Sequence, residues 1–305
     1  MFVVTHRKIF YVISGILMVG SIVAMLVWGF NPGIDFKGGS NLEINYASGA
    51  RPDISAVNAE LAPLSLDASI RPTGDTGYII RLKNITEEER VAMIKALSSV
   101  GTSTAPEVKN FDSVGPLLGA EALYKSLLSV VLVLLAIVIF ITFAFRKVSE
   151  PVASWKYGLI TVFALLHDVL VPTGVFVILG HFAGYEVDTL FVTAILVILG
   201  FSVHDTIVVF DRVRENLKLS RVNRTKQTFA EIVGASISQT FVRSINTSFT
   251  TLLSLAVLYA IGPEVTKHFA LALLVGITAG TYSSIFLGSP LLVTVEEWQN
   301  KKRKA

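Results

Sequence analysis

Six apolar runs, each near the roughly 20 residues an α-helix needs to cross a bilayer, constrain this chain before any other feature. They are Ile9–Trp28, Leu123–Phe145, Trp155–Leu179, Leu190–Phe210, Phe241–Ile261 and Phe269–Val293. Hydrocarbon offers no hydrogen bonds to a backbone, so each run is predicted to satisfy its own amides as a helix. Only 16% of residues are charged and the mean hydropathy is +0.63, against about 25% charged in soluble domains. The reading is an integral membrane protein. Its net charge of +3 would fit a nucleic-acid partner, but the basic residues flank the apolar runs, so topology accounts for them and no nucleic acid is expected. With no cysteine there is no disulfide and no thiolate metal site. The G-x-x-x-x-G-K-[ST] phosphate loop and the H-E-x-x-H metal spacing are missing too, so ATP hydrolysis and zinc chemistry have no support. No enzymatic active site, cofactor or metal is expected.

Between the first two runs the composition turns soluble. Asn41–Tyr46 reads as a strand, Asp53–Leu61 as a helix, and Ala68–Arg71 and Tyr78–Leu82 as strands around a turn at Gly74-Asp75. Thr86-x-x-Glu89 opens a helix to about Leu97 as a capping box, and Glu107–Phe111 closes the series. That order is β-α-β-β-α-β, the ferredoxin-like pattern. The fold class is therefore a membrane all-α six-helix bundle carrying a small α+β ferredoxin-like domain. Its predicted parts are residues 1–30 (tail and first helix), 31–120 (the domain), 121–294 (helices two to six) and 295–305 (basic tail). The first helix is expected to stay uncleaved, since about 20 apolar residues run into Trp28 and Asn31-Pro32-Gly33 without a small-residue cleavage site.

Charge predicts the orientation. The N-tail, Arg146–Lys156, Arg212–Arg243 and Lys301–Lys304 hold 16 of the 26 basic residues, while the two short opposite links contribute only Lys267. Short basic loops stay cytoplasmic, so both termini are expected inside and the soluble domain outside.

Asp205 stands out within this frame. It sits about six residues from the expected cytoplasmic end of the fourth run, roughly 9 Å deep at 1.5 Å per residue. Ionisable groups inside membrane helices are costly and point to function by default. Arg243 lies at a similar depth at the head of the fifth run, and a buried acid beside a cation can work as a proton relay. The alternatives are a structural contact for Asp205 and snorkelling for Arg243. Beyond Arg243, Asn246, Thr247, Thr250 and Ser254 join it in a polar stripe with helical spacing, lining a partner helix or a wet cavity, or acting as ordinary interhelical glue. His167-Asp168 falls near mid-span in the third helix as a second proton station or a satisfied buried contact. His204, about 100° around from Asp205, points away from it. Gly276-x-x-x-Gly280 is a helix-packing motif. Asp211, Arg212, Arg214 and Glu215 read as a solvated helix end. Gly33-Ile-Asp-Phe-Lys-Gly-Gly39, with Asp35 and Gly38 inside it, reads as a hinge or docking loop.

Three of these stretches, Gly33–Gly39, Leu199–Asn216 and Phe241–Ser248, resemble the signatures of the SecD/SecF family, membrane subunits of bacterial protein export within the resistance-nodulation-division superfamily. The resemblance covers the whole chain. It implies use of the proton-motive force to help preproteins leave the SecYEG channel, in the bacterial inner membrane. It also implies a separate, pseudo-symmetric partner half, SecD, with YajC as a further partner. The family's intramembrane acid falls on Asp205 and its arginine on Arg243; His167-Asp168 matches a recurring pair, and His204 stands where the pattern has Asn. Two other classes stay open. One is a half-transporter of the same superfamily exporting lipid or small molecules. The other is a scaffold whose buried charges only specify assembly.

Overall fold

The polar segment folds in the predicted β-α-β-β-α-β order. In the computed structural model, which describes residues 2–46, 51–100, 106–146 and 152–304, the short helix α1 (Phe2–Thr5), the long α2 (Arg7–Trp28) and the short α3 (Ile34–Lys37) come first. Then follow β1 (Gly39–Asn45), α4 (Ile54–Leu61), β2 (Ser69–Thr73), β3 (Gly77–Leu82), α5 (Glu87–Ser99) and β4 (Glu107–Val114). The basic link expected at Arg146–Lys156 lies partly outside the described residues. All pairings are antiparallel and the strand order is β2-β3-β1-β4. Period-two alternation sets the register: Leu42 faces Ile80 and Ile44 faces Tyr78 across β1 and β3. These side chains close on Val57 and Leu61 of α4 and Met93 and Leu97 of α5, all buried. Pro72, which cannot donate to a ladder, sits on the edge strand β2, where that is tolerated. The capping box at α5 is present, with Glu89 N–H donating to the Thr86 hydroxyl at 3.3 Å and Thr86 N–H to the Glu89 carboxylate at 2.7 Å.

The remaining elements are long helices: α6 (Pro116–Ala144), α7 (Ser154–Ala183), α8 (Thr189–Val222), α9 (Phe229–Ile261), and α10 (Glu264–Ser283), which passes through a π-helical turn at Ser284–Gly288 into α11 (Ser289–Lys304). Among the described residues, six helices have the length and apolarity to cross a membrane. The chain divides into two compact units, Pro32–Leu127 and the pair of segments Met1–Asn31 and Leu128–Ala305. Within the helical unit, α7, α8 and α10–α11 form the buried centre, and α2, α6 and α9 are mostly exposed around it. The glycine motif places α10 against α8. A Cβ at Gly276 would lie 2.1 Å from Ile198 Cδ1, and one at Gly280 3.0 Å from Ser202 Cβ.

Several boundaries differ from the sequence reading, among them the second membrane helix, which begins at Pro116 rather than Leu123. The fourth helix does not stop at Phe210, because α8 continues through the charged cluster to Val222. Ion pairs at i,i+3, Arg212 to Glu215 at 2.6 Å and Arg214 to Asp211, keep those polar turns helical. A second capping box, Thr228 with Glu231, starts α9 at Phe229. The basic link is thus 223–228 rather than Arg212–Arg243. Arg243 consequently stands fourteen residues inside α9 rather than at its head. The sixth helix begins at Glu264, and the stretch from 295 is helical as far as Lys304.

Candidate functional site

Among the described residues of the helical unit two carboxylates, Asp168 and Asp205, are buried, each held by hydroxyls from neighbouring helices. Asp168 of α7 is fully buried. One of its oxygens, Oδ2, accepts from Ser202 of α8 at 2.5 Å and from Ser283 of α10 at 2.8 Å. The other, Oδ1, faces His167 Nδ1 at 2.9 Å. Although adjacent helix positions diverge by about 100°, both side chains are buried and the two are in contact. Pro172, four residues on in α7, has no N–H to give the Asp168 carbonyl.

Asp205 of α8 is 6% exposed. Its Oδ1 accepts from the Ser244 hydroxyl of α9 at 2.5 Å, while Oδ2 is buried without a protein partner. A third polar contact joins α8 to the π turn, the Thr206 and Ser284 hydroxyls at 3.0 Å, with Ser284 also donating to the Ser202 carbonyl at 3.4 Å. Ser283 and Ser284 sit where α10 gives way to the π turn. Such turns occur mostly as single insertions and often at functional sites. The Ser289 hydroxyl donates to the Ser284 carbonyl at 2.7 Å, which satisfies one group that the altered ladder releases.

The other predicted residues fall elsewhere. Arg243 and His204 are exposed, both within electrostatic reach of Asp205. Among the described residues no ion pair joins Arg243 to Asp205. Asn246, Thr247 and Thr250 are exposed on the same face of α9 as Arg243. Thr247 and Thr250 donate within the helix, to the carbonyls of Arg243 and Thr247 at 2.9 Å. Among the described residues the stripe is exposed, and only 11% of the most apolar window of α9 is buried. The inward face of α9 carries Ser244 and Ser248 instead, the latter accepting from Thr281 at 2.6 Å. No group of three or more His, Asp or Glu side chains among the described residues could hold a metal ion.

The glycine loop has its own geometry. Gly33 caps α3, and Asp35 lies in that helix's first turn. Gly38 and Gly39 have φ of +75° and +140°, a region L-residues avoid. A Cβ at Gly38 would lie 2.8 Å from Pro116 Cα, and one at Gly39 2.7 Å from the Leu82 carbonyl oxygen. The loop is therefore a close backbone crossing at the foot of β1 and the start of α6.

Sequence reasoning missed Ser202, Thr206, Ser283 and Ser284, because single hydroxyls in apolar helices carry no signal until the helix rotations are known; Ser244 was visible only as one polar residue of the fifth run. Spacing offers one clue: Ser202 stands three residues before Asp205, on the same face of α8.

The comparisons match this architecture. The family model for "Protein export membrane protein SecD/SecF, C-terminal" matches residues 93–298, and the "SecD/SecF GG Motif" matches residues 23–50. The chain is 41% identical over 312 residues to the protein translocase subunit SecF of Thermobaculum terrenum, covering 98% of this chain and 94% of that one. It is 39% identical to the SecF subunit of Anaerolinea thermophila, covering 96% and 94%. Among solved structures, the SecDF of Thermus thermophilus, described as a translocon-associated membrane protein, superposes with a TM-score of 0.81 at 30% identity. That match covers 97% of this chain and 38% of the SecDF chain. On these matches, and on a six-helix fold whose glycine loop falls on the family's own motif, the chain belongs to the SecD/SecF family, on its SecF side.

Proposed function

We propose that this chain is the SecF half of a proton-driven accessory unit of the Sec preprotein translocase. It acts with a separate SecD half to complete export through SecYEG, with YajC as a further contact. One observation carries the reading. Asp205 is a carboxylate buried in an apolar helix, with one oxygen held by Ser244 and the other unpartnered. Beside it, Arg243, Asn246, Thr247 and Thr250 stand exposed on a membrane helix. Polar groups left toward lipid are costly, so this face is suited to meet a second half. Proton loading and release at Asp205, biased by Arg243, would then switch the helix pair between two packings, and the soluble domain would move as the output.

Its position near the end of a run flanked by basic loops puts Asp205 toward the cytoplasmic side, with both termini inside and the α+β domain outside. Asp168 and His167, linked to α8 and α10 through Ser202 and Ser283, serve as a second station on the same path, with His204 flanking Asp205 at the exposed edge. The chain performs no covalent chemistry.

The test is complementation of export in cells lacking the native subunit, with copurification of SecD as the assembly control. Asp205→Asn keeps shape and removes titration, so it should copurify normally and lose proton-dependent export. Arg243→Lys keeps charge and loses the planar fork, and export should fall with it. Normal export by Asp205→Asn would leave the buried charge a purely structural device.

A further inference from the structure

The start of α2 and the end of α11 meet at the edge of the hydrocarbon. Ile9–Trp28 is one apolar run, about 30 Å long at 1.5 Å per residue. That length equals the hydrocarbon thickness, so Arg7 and Lys8 stand at its boundary. Arg7 pairs with Glu297 at 2.5 Å, and the Tyr11 and Thr294 hydroxyls meet at 2.9 Å. The two helices therefore run antiparallel, with Glu297 and Trp298 at the level of Arg7. Trp298 is 57% exposed, and the Lys302 ammonium lies 4.0 Å from the centre of its ring. The Lys302 backbone is one turn further on, about 6 Å into the headgroup layer. Helix geometry brings Lys8 to the same flank. Successive residues turn by about 100°. Measured from the side that faces the other helix, Lys8 is turned by about 80° in α2, and Trp298 and Lys302 by about 70–110° in α11. Because the helices run oppositely, these turns lead to one flank. Val12, next along that flank of α2, is exposed, so the flank looks into lipid. Lys8 and Lys302 are exposed too, and among the described residues no acid pairs with either. The two acids of α11 are engaged, Glu297 by Arg7 and Glu296 by the Asn300 amide at 2.5 Å.

We propose that this flank of the α2–α11 seam binds the head of an anionic phospholipid, with Lys8 and Lys302 as counter-ions to its phosphate and the Trp298 indole N–H as a donor. Three features select that chemistry together. The depth is that of the headgroups, which favours a lipid over a soluble anion. Two cations without acidic partners favour a head of net negative charge. The aromatic face that a choline ammonium would seek carries Lys302 instead, which disfavours a zwitterionic head. The site is independent of Asp205. A lipid held there bridges α2 to α11, the helix that continues from the π turn.

The test reads Trp298 directly. Trp28→Phe with Trp155→Phe leaves it as the single tryptophan of the full chain, which is placed in phosphatidylcholine discs. Brominated phosphatidylglycerol or brominated phosphatidylcholine is then added in steps to quench its fluorescence. Half-quenching should come at an about 5- to 30-fold lower mole fraction of the phosphatidylglycerol, the preference that one to two lysines near a surface supply. Lys8→Gln with Lys302→Gln should lower that preference at least about fivefold. Lys218→Gln with Lys226→Gln removes the same charge from the far end of α8 and the link after it, and should leave the preference within about twofold. If the single-tryptophan chain fails to fold, native mass spectrometry of the chain with all its tryptophans decides. Released from discs of equal parts of the two lipids, it should retain phosphatidylglycerol, and the Lys8→Gln, Lys302→Gln variant should retain less. Equal half-quenching by the two lipids overturns the proposal and leaves Trp298 and Lys302 as plain interfacial anchors. An equal loss in the Lys218→Gln, Lys226→Gln control overturns it in favour of a diffuse surface potential. Relief of quenching by inorganic phosphate, beyond chloride of the same ionic strength, overturns it in favour of a soluble anion.

Discussion

Replacing Gly39 by alanine tests the local geometry of the glycine crossing. At φ +140° the backbone is in a region essentially reserved for glycine, and the new Cβ would stand 2.7 Å from the Leu82 carbonyl oxygen. The dihedral strain alone is worth about 1–3 kcal/mol. The overlap is with backbone, not a swinging side chain, so β1 and β3 must shift, adding about 1–3 kcal/mol. Gly39→Ala is therefore expected to destabilise the α+β domain by about 2–6 kcal/mol, a large share of the roughly 5–15 kcal/mol typical of a domain. Hydrogen exchange of the full chain in lipid discs reads this directly. Amides of Leu42, Ile44 and Ile80 should exchange at least about 30-fold faster than in the unaltered chain. Gly115→Ala is the control, because nothing lies within 4 Å of its Cβ position, and it should change exchange by no more than about twofold. Equal behaviour of the two variants would refute the argument from φ and close approach.

Three further outcomes follow from other contacts. Ser283→Ala removes one of two hydroxyls donating to the fully buried Asp168, so thermal unfolding in detergent should show a loss of about 1–3 kcal/mol; an unchanged midpoint would mean that Ser202 and His167 alone satisfy the carboxylate. Gly276→Ala drives a methyl into Ile198 and should destabilise the α8–α10 contact by about 1–3 kcal/mol; combining it with Ile198→Ala should relieve the clash, and a merely additive double variant would contradict that contact. In the soluble domain, hydrogen bonds and charge from Arg90 hold the Glu87 carboxyl below the usual carboxylate range. The pair therefore stabilises above the unfolded-state value and loses its effect as pH falls through the lower folded-state value. A carbon-13 titration should show Glu87 moving up toward its ordinary range in Arg90→Gln, and no movement would discard the pairing.

How much of this was legible in the sequence depended on whether the signal was local. The α5 capping box, the alternation of Leu42, Ile44 and Ile80 and the six apolar runs are patterns within one element, and each appears in the structure near its predicted place. The turns from Asp211 to Val222 were misjudged because a charged cluster can end an apolar run without ending a helix, once its charges pair at i,i+3. The polar face of α9 was visible from its spacing. The sorting of Ser244 and Ser248 inward and Arg243 and Thr247 outward was not, because rotation about a helix axis is decided by neighbouring helices. The π turn at Ser284–Gly288 was not read either, although Gly288 and Pro290 stand at its end.

The central claim is that Asp205 carries protons. It is tested most directly by proton flux into vesicles holding this chain with its SecD half, comparing the unaltered pair with Asp205→Asn under an imposed gradient. The account predicts that flux falls to the level of protein-free vesicles while the complex stays intact. Flux at the unaltered level in Asp205→Asn would contradict it and move the proton path away from this carboxylate.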